Sequence, residues 1–344
     1  MQAKILIIGT GGTIAGMAPD AEKPGVYQAA QLSVQSLVAS IPGIEKAAGR
    51  PLDALQVAQI DSKNMSEAVW RDLVLACDNA LRDDAVAGVV ITHGTDTLEE
   101  TAWLLQLCLG PVSKPMVLTC AMRPANALMA DGPQNLKDAV TVAGARLADG
   151  LPALPAVVAV TGGGQVHSAQ LVQKVHPHHL MAFAAGEEGP LAWVEDGGVR
   201  LRVGSNPAQL HPPELLQARD SGKGLAALPA AGEAWPWVDI IVSHGGARAA
   251  QVDALVAAGV QGLVVAGTGD GAVHEAIEAA CLRAQAQGVA VWRSTRCATG
   301  QVGGARLLPA RQAHAGLPAV ASSPAKARVS LQLVLMGVLA LPAA

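Results

Sequence analysis

Aromatic side chains are scarce: 344 residues include one tyrosine, one phenylalanine and six tryptophans. Few flat faces are therefore offered to nucleic-acid bases. With 24 basic against 28 acidic residues and no basic run, the charge balance also argues against nucleic acid and anionic membrane as partners. The five cysteines, Cys77, Cys108, Cys120, Cys281 and Cys297, form no CxxC pair. They read as buried, reduced thiols, which fits a reducing compartment. No apolar run is long enough to span a bilayer; the last one, LQLVLMGVLALPAA, is short, carries Gln332 and is expected to be a buried final helix. The amino-terminal MQAKILIIGTGG lacks the long apolar region and cleavage site of a signal peptide, so a cytoplasmic location is expected. Nucleotide loops of the GxxxxGK(S/T) or GxGxxG type and the GxSxG elbow of serine hydrolases are missing too.

What is present is an apolar fraction of 51 %, enough for a large core, in a chain long enough for two domains. Short apolar runs at 5–8, 55–60, 86–91, 116–120 and 155–160 read as strands. Helical patterns fall between them at 31–47 (interrupted at Pro42), 67–82 (with Ser66 as N-cap), 97–109 and 133–147. This alternation implies βαβ crossovers and a mainly parallel sheet. Two alternating runs around Asp196, Gly197 and Gly198 read as a hairpin, and TGGG at 161–164 as a tight turn. The expected organisation is α/β: an amino-terminal catalytic domain over 1–204, a Pro/Gly-rich linker over 205–236 and a smaller βαβ domain over 237–344. The last begins with DIIVSHGG (239–246), and within it strands are expected at 262–266 and 289–292, with helices at 248–257, 272–286 and near 325–340.

Two strands end in turns rich in hydroxyls. KILIIGTGGTIAG (4–16) places Thr10 and Thr13 around Gly11 and Gly12 at the carboxyl edge of the first strand, where glycines expose backbone amides. THGTDTLEETA, beginning at Thr92, follows the strand 86–91 and sets Thr95 beside Asp96. A threonine hydroxyl needs a base to act as a nucleophile, and a desolvated lysine beside a carboxylate is one such base. Residues 17–29 are polar, interrupted by Pro and Gly, and hold Tyr27, which is loop composition suited to closing over a ligand. HPHH, with His176, His178 and His179, is the densest histidine group, but Pro177 breaks any helical register and no acid or cysteine lies at ligand spacing, so no metal is expected.

TGGTIAG and HGTDTLEETA together resemble the two signature motifs of the bacterial-type L-asparaginase family. The likeness extends through IDSKNM (60–65), AMRPANALMADGPQNLKDAV (121–140), LVQKVH (171–176), GLVVAGTGDG (262–271) and SPAKARVSLQL (323–333). The resemblance implies hydrolysis of L-asparagine to L-aspartate and ammonia through a threonine acyl-enzyme, without a cofactor. A glutaminase or related small-amide amidohydrolase is the alternative within enzymes, and a non-catalytic amino-acid-binding protein the alternative outside them. By the same resemblance Thr13 is the nucleophile with Tyr27 beside it, Thr95, Asp96 and Lys174 activate the hydrolytic step, and Ser62 binds the substrate α-carboxylate. Thr10 reads as structural, His93 as a neighbour rather than a base, and Arg123 with Asp131 as an ionic contact holding a loop. The family is typically a tetramer built from close dimers, which predicts a homo-oligomer.

Three positions depart from the family pattern. Lys63 occupies a substrate-facing position where the family commonly has glutamine. The family glutamate expected after the segment Ser294 to Gly300 has no counterpart, because no acid follows before the end of the chain. Asp270, at a position commonly asparagine, is expected to supply that negative charge to a neighbouring subunit's substrate.

Overall fold

The computed structural model describes residues 2–23, 25–204, 223–302 and 316–340. The chain divides into two compact units, Met1–Leu216 and Gln217–Ala344. Residues 205–222, much of the expected linker, lie outside the described residues.

In the first unit, β1 (Lys4–Gly11), β2 (Leu52–Ile60), β3 (Val86–Thr92), β4 (Met116–Thr119) and β5 (Val157–Thr161) are mutually parallel. β6 (Gln165–Ser168), β9 (Ala192–Glu195) and β10 (Gly198–Leu201) extend the sheet antiparallel, in the order β10-β9-β6-β5-β4-β3-β1-β2. A separate ribbon pairs β7 (Gln173–Lys174) with β8 (Phe183–Ala184). The chain passes from β1 to β2 on one side and returns with β3 on the other, so β1 and β3 are neighbours whose outgoing connections diverge. Such a switch point opens a crevice at the carboxyl ends of the strands. The turns that leave β1 and β3 there are the two that carry Thr13 and Thr95.

The helices follow local signals. Ser33 caps α1 (Val34–Ala39), and Gly43 with φ of 71° opens α2 (Ile44–Ala48), so the single interrupted helix expected over 31–47 is two short ones. In α3 (Glu67–Arg82) the buried residues Trp70, Leu73, Val74, Cys77 and Ala80 repeat at helical spacing, and Ser66 caps the start through the Val69 amide. Burying each of the larger side chains contributes about 1.5–3 kcal/mol. α4 (Leu98–Leu109) is buried almost all round, and α5 (Gly132–Gly144) packs with α1 and α2 over Ile5, Ile7, Val90 and Val117 of the sheet. The TGGG segment makes the hairpin turn between β5 and β6. Between β9 and β10 the turn is Asp196-Gly197 alone, with φ of 51° and 76°, because Gly198 already pairs with Glu195.

The second unit has a parallel sheet of β11 (Val238–Val242), β12 (Gly262–Gly267) and β13 (Ala290–Thr295). α6 (Ala250–Ala257) and α7 (Glu275–Ala286) supply residues to one apolar cluster, with Ile241, Leu263 and Val265. α8 (Pro324–Met336) covers the other face through Ala327 and Leu331 against Val264 and Trp292. Among the described residues no helix is long and apolar enough to cross a membrane. Four cysteines are buried as expected, and burial pushes the Cys281 thiol up to about 12; Cys297 departs, lying exposed in the loop after β13.

Asp138 on α5 is a buried carboxylate that accepts a 2.7 Å hydrogen bond from Gln134. Burial raises its pKa above the ordinary value, more than Gln134 and Lys137 lower it. An acid whose folded pKa is raised destabilises the fold once ionised, and the penalty disappears below its unfolded pKa. Asp138→Asn is therefore expected to raise Tm by about 1–3 °C at neutral pH. The gain should shrink as pH falls through the folded pKa and vanish below the ordinary carboxylate range; thermal melts across pH 3.5–8 check this. A gain that grows toward acid would contradict it.

Candidate active site

The crevice at β1 and β3 is built on glycine contact. Gly12, at φ of 81°, lies against the backbone of Gly94, which a Cβ on Gly12 would strike, and a Cβ on Gly94 would collide with the Ser62 side chain. Glycine at both positions admits this packing, which draws the Thr13 turn toward the Thr95 turn. Thr10 donates to the Thr92 carbonyl at 2.9 Å, fully buried, and serves as a structural tie between the two strand ends.

Thr13 opens a 3₁₀ turn and is itself buried; its Oγ1 lies 2.7 Å from the Tyr27 hydroxyl. Tyr27 comes from a loop whose base is closed by paired backbone bonds between Met17 and Gln28, both 2.9 Å. Asn126 clasps the same base, accepting from the Ala18 amide at 2.8 Å and donating to its carbonyl at 2.7 Å. Thus the loop's ends are fixed near Thr13 while Val26 stays 73 % exposed.

The second cluster joins Thr95, Asp96 and Lys174. The Lys174 ammonium donates to Thr95 Oγ1 at 2.8 Å and to Asp96 Oδ1 at 2.6 Å, although nearly eighty residues separate them in sequence. Ser62 completes the cluster: its Oγ accepts from the Asp96 amide at 3.2 Å, and its carbonyl accepts from the Thr97 hydroxyl at 2.9 Å. Since Ser62 Oγ is the acceptor here, its own proton is available to donate. Lys63 is held differently, its ammonium 2.6 Å from Asp61, which raises its pKa chiefly by that hydrogen bond and charge, with Asp96 and Tyr27 adding smaller effects.

His93 is buried behind the second turn. Trp70 Nε1 donates to Thr101 Oγ1 at 2.9 Å, and Thr101 in turn donates to His93 Nε2 at 2.9 Å. That leaves Nδ1 to donate to the Gly94 carbonyl at 2.8 Å, so the tautomer follows from the donor inventory. Burial lowers the His93 pKa to about 4, and the ring stays neutral at physiological pH. Held at both ring nitrogens, it braces the Gly94 backbone and Thr101.

Asp131 does not pair with Arg123; its carboxylate accepts from the backbone amides of Met122 and Arg123, both 2.9 Å, and Arg123 donates to the Met129 carbonyl. A carboxylate facing two amides finds better hydrogen-bond geometry there than with a guanidinium that reaches outward. His176 accepts through Nδ1 from the amides of His178 and His179 and stacks on His179, so the HPHH segment is a self-bonded turn beyond Lys174. Asp270 lies in the second unit at the tip of a turn closed by reciprocal Thr268 and Ala272 bonds, and its carbonyl accepts from Arg293. Residues the motifs did not single out include Asn126, Thr101 and Glu99; the last accepts from the Lys174 backbone amide at 2.7 Å.

The arrangement offers a hydroxyl pair and a separate hydroxyl-lysine-carboxylate set on facing turns, chemistry suited to acyl transfer to a threonine followed by hydrolysis. Comparison with known proteins agrees in extent. A model described as asparaginase, N-terminal, matches residues 4–206, and one described as glutaminase/asparaginase C-terminal domain matches 237–338. L-asparaginase 2 of Bacillus subtilis is 33 % identical over 334 residues, 96 % of this chain and 82 % of that protein. A protein of Haemophilus influenzae named probable L-asparaginase periplasmic is 34 % identical over 333 residues, 96 % of this chain and 88 % of its own. The crystal structure of a probable cytoplasmic L-asparaginase from Campylobacter jejuni superposes with a TM-score of 0.80 at 30 % identity, covering 97 % of this chain and 95 % of that one.

Proposed function

Because the chain belongs to the asparaginase family, we propose that it hydrolyses L-asparagine to L-aspartate and ammonia through an acyl intermediate on Thr13. The observation that carries this reading is the Lys174 ammonium set on both Thr95 and Asp96, at 2.8 and 2.6 Å, in the turn that faces Thr13.

In the first half-reaction Thr13 Oγ1 bonds to the amide carbon and the C–N bond breaks. The Thr13 proton ends on the departing ammonia, relayed through the Tyr27 hydroxyl 2.7 Å away. In the second half water adds to the ester carbon and the bond to Thr13 Oγ1 breaks. One water proton returns to Thr13, with Thr95 and Lys174 as the relay and Asp96 as the balancing charge. Backbone amides of the Gly94–Asp96 turn stabilise the oxyanion in both halves.

Ser62, with its hydroxyl proton available, receives the substrate α-carboxylate, and Lys63 adds positive charge at the same end. Asp96 holds the substrate ammonium. Asp270, from the carboxy-terminal unit of a neighbouring subunit, adds a second negative charge there, which makes the working assembly a homo-oligomer, a tetramer of close dimers. A reducing, cytoplasmic location is favoured by five cysteines that are all free. Mass photometry and cell fractionation test assembly and location.

A coupled ammonia assay over L-asparagine, L-glutamine and other small amides tests the function. Asparagine should give the highest kcat/KM, with glutamine the competitor because the carboxy-terminal family description names both activities. Saturable asparagine binding without ammonia release would instead identify a binding protein. The Tyr27 loop carries its own test. With its base fixed and its outer residues exposed, it is expected to order over bound ligand. Saturating L-aspartate should slow proteolytic cleavage within 17–29 by about tenfold, and Tyr27→Phe should keep that protection while kcat falls by about 10–100-fold. Cleavage unchanged by ligand would contradict closure.

A further inference from the structure

Lys174 stands on a two-residue strand, β7, whose ribbon with β8 is separate from the main sheet. A lysine side chain has four rotatable carbons, so an ammonium placed within 2.8 Å of Thr95 needs its backbone held as well as its tip. The backbone amide of Lys174 donates to Glu99 Oε2 at 2.7 Å. Glu99 is buried, in the first turn of α4, three residues beyond Asp96 and four beyond Thr95. Its side chain lies at the amino end of α4, directly after the turn that carries Thr95 and Asp96. The turn after β3 and the first turn of α4 therefore hold Lys174 at two points, the ammonium through Thr95 and Asp96 and the backbone through Glu99.

We propose that Glu99 is a positioning residue for the reaction: it fixes the β7 strand so that the Lys174 ammonium reaches Thr95 as well as Asp96. Without it the strand shifts, the ammonium stays with the Asp96 carboxylate, and the Thr95 contact lengthens. Displacement of a relay group by about 1 Å costs on the order of 10²-fold in rate. This inference rests on the role given to Lys174 above.

The test is a double-mutant cycle on the full chain, reading kcat and KM for L-asparagine together with thermal melts. Glu99→Ala should lower kcat by about 10–100-fold with KM changed less than about threefold. Glu99→Gln, which keeps an oxygen at the acceptor position, should recover kcat to within about fivefold of wild type, whereas Glu99→Asp, one methylene short of the amide, should not. In a Lys174→Met background, Glu99→Ala and Glu99→Asp should change the residual kcat by less than about twofold, because the group they position is gone. If the alanine variant does not fold, the aspartate and glutamine variants carry the cycle. Wild-type kcat in Glu99→Asp, or an undiminished loss in the Lys174→Met background, overturns the positioning role. Wild-type turnover in Lys174→Met alone would instead overturn the role of Lys174 itself, a separate outcome.

Discussion

Lys174→Met is expected to leave a folded protein whose kcat for L-asparagine is lower by about 10³-fold or more, the scale on which positioned proton-transfer groups act. Methionine matches the lysine stem, which is largely buried, so packing is retained while the ammonium is lost. The loss removes the donor to Thr95 Oγ1 and the counter-charge of Asp96 in one step. KM should move far less than kcat, because the relay acts on the reacting atoms rather than on the bound ground state. Thr95→Val, which keeps shape and removes the hydroxyl, should fall to a similar level. The double variant should fall no further, since residues that act as one relay are not additive. Steady-state ammonia release with circular dichroism as the fold control reads all three. A Lys174→Met enzyme within tenfold of wild type would end the relay as drawn.

For Thr13→Ala the expected loss is larger, about 10⁴-fold or more in kcat, because the covalent route itself is removed. Thr13 is buried in a short turn whose backbone bonds do not involve its hydroxyl, so the fold should survive. Tyr27 loses its 2.7 Å partner but, being partly exposed, can hydrogen-bond water instead. Thr13→Ser, which keeps an oxygen at the same place, should retain measurable turnover. Rapid acid quench of the wild-type enzyme followed by peptide mass spectrometry should find an aspartyl adduct on the peptide containing Thr13, and none in Thr13→Ala. Ammonia release near wild type by a folded Thr13→Ala protein would remove Thr13 from the mechanism.

These two residues were not equally legible. Thr13 sits where an apolar strand meets Gly11 and Gly12, so a local pattern already puts a hydroxyl at a sheet edge. Lys174 has no local signal of that kind; it is singled out only by the resemblance of LVQKVH to a family segment. Its partners lie across nearly eighty residues, and what brings them within 3 Å is a two-residue strand tied to α4. Glu99 reads in the sequence as an ordinary acid in a first helical turn, stabilising for the helix dipole, and nothing in LEETA announces a tertiary bond. Asp131 likewise reads as an ion-pair partner for Arg123 and instead binds backbone amides, a choice that depends on how the loop 121–131 folds back on itself.

By itself the sequence determined what depends on neighbours along the chain. Helical spacing and Ser66 specify α3 to its ends, apolar runs specify the strands, and Asp196-Gly197 specifies a hairpin turn, because side-chain periodicity and backbone φ are set within a few residues. Tertiary structure decided what depends on strand order. The placement of β3 beside β1 on the side away from β2 opens the crevice, the facing glycines bring its two turns together, and the Lys174 ribbon is fastened to the turn after β3. Contacts of that kind follow from how the whole sheet is laid out, since closing loops of this length is set by the burial of the core rather than by any residue in the loop.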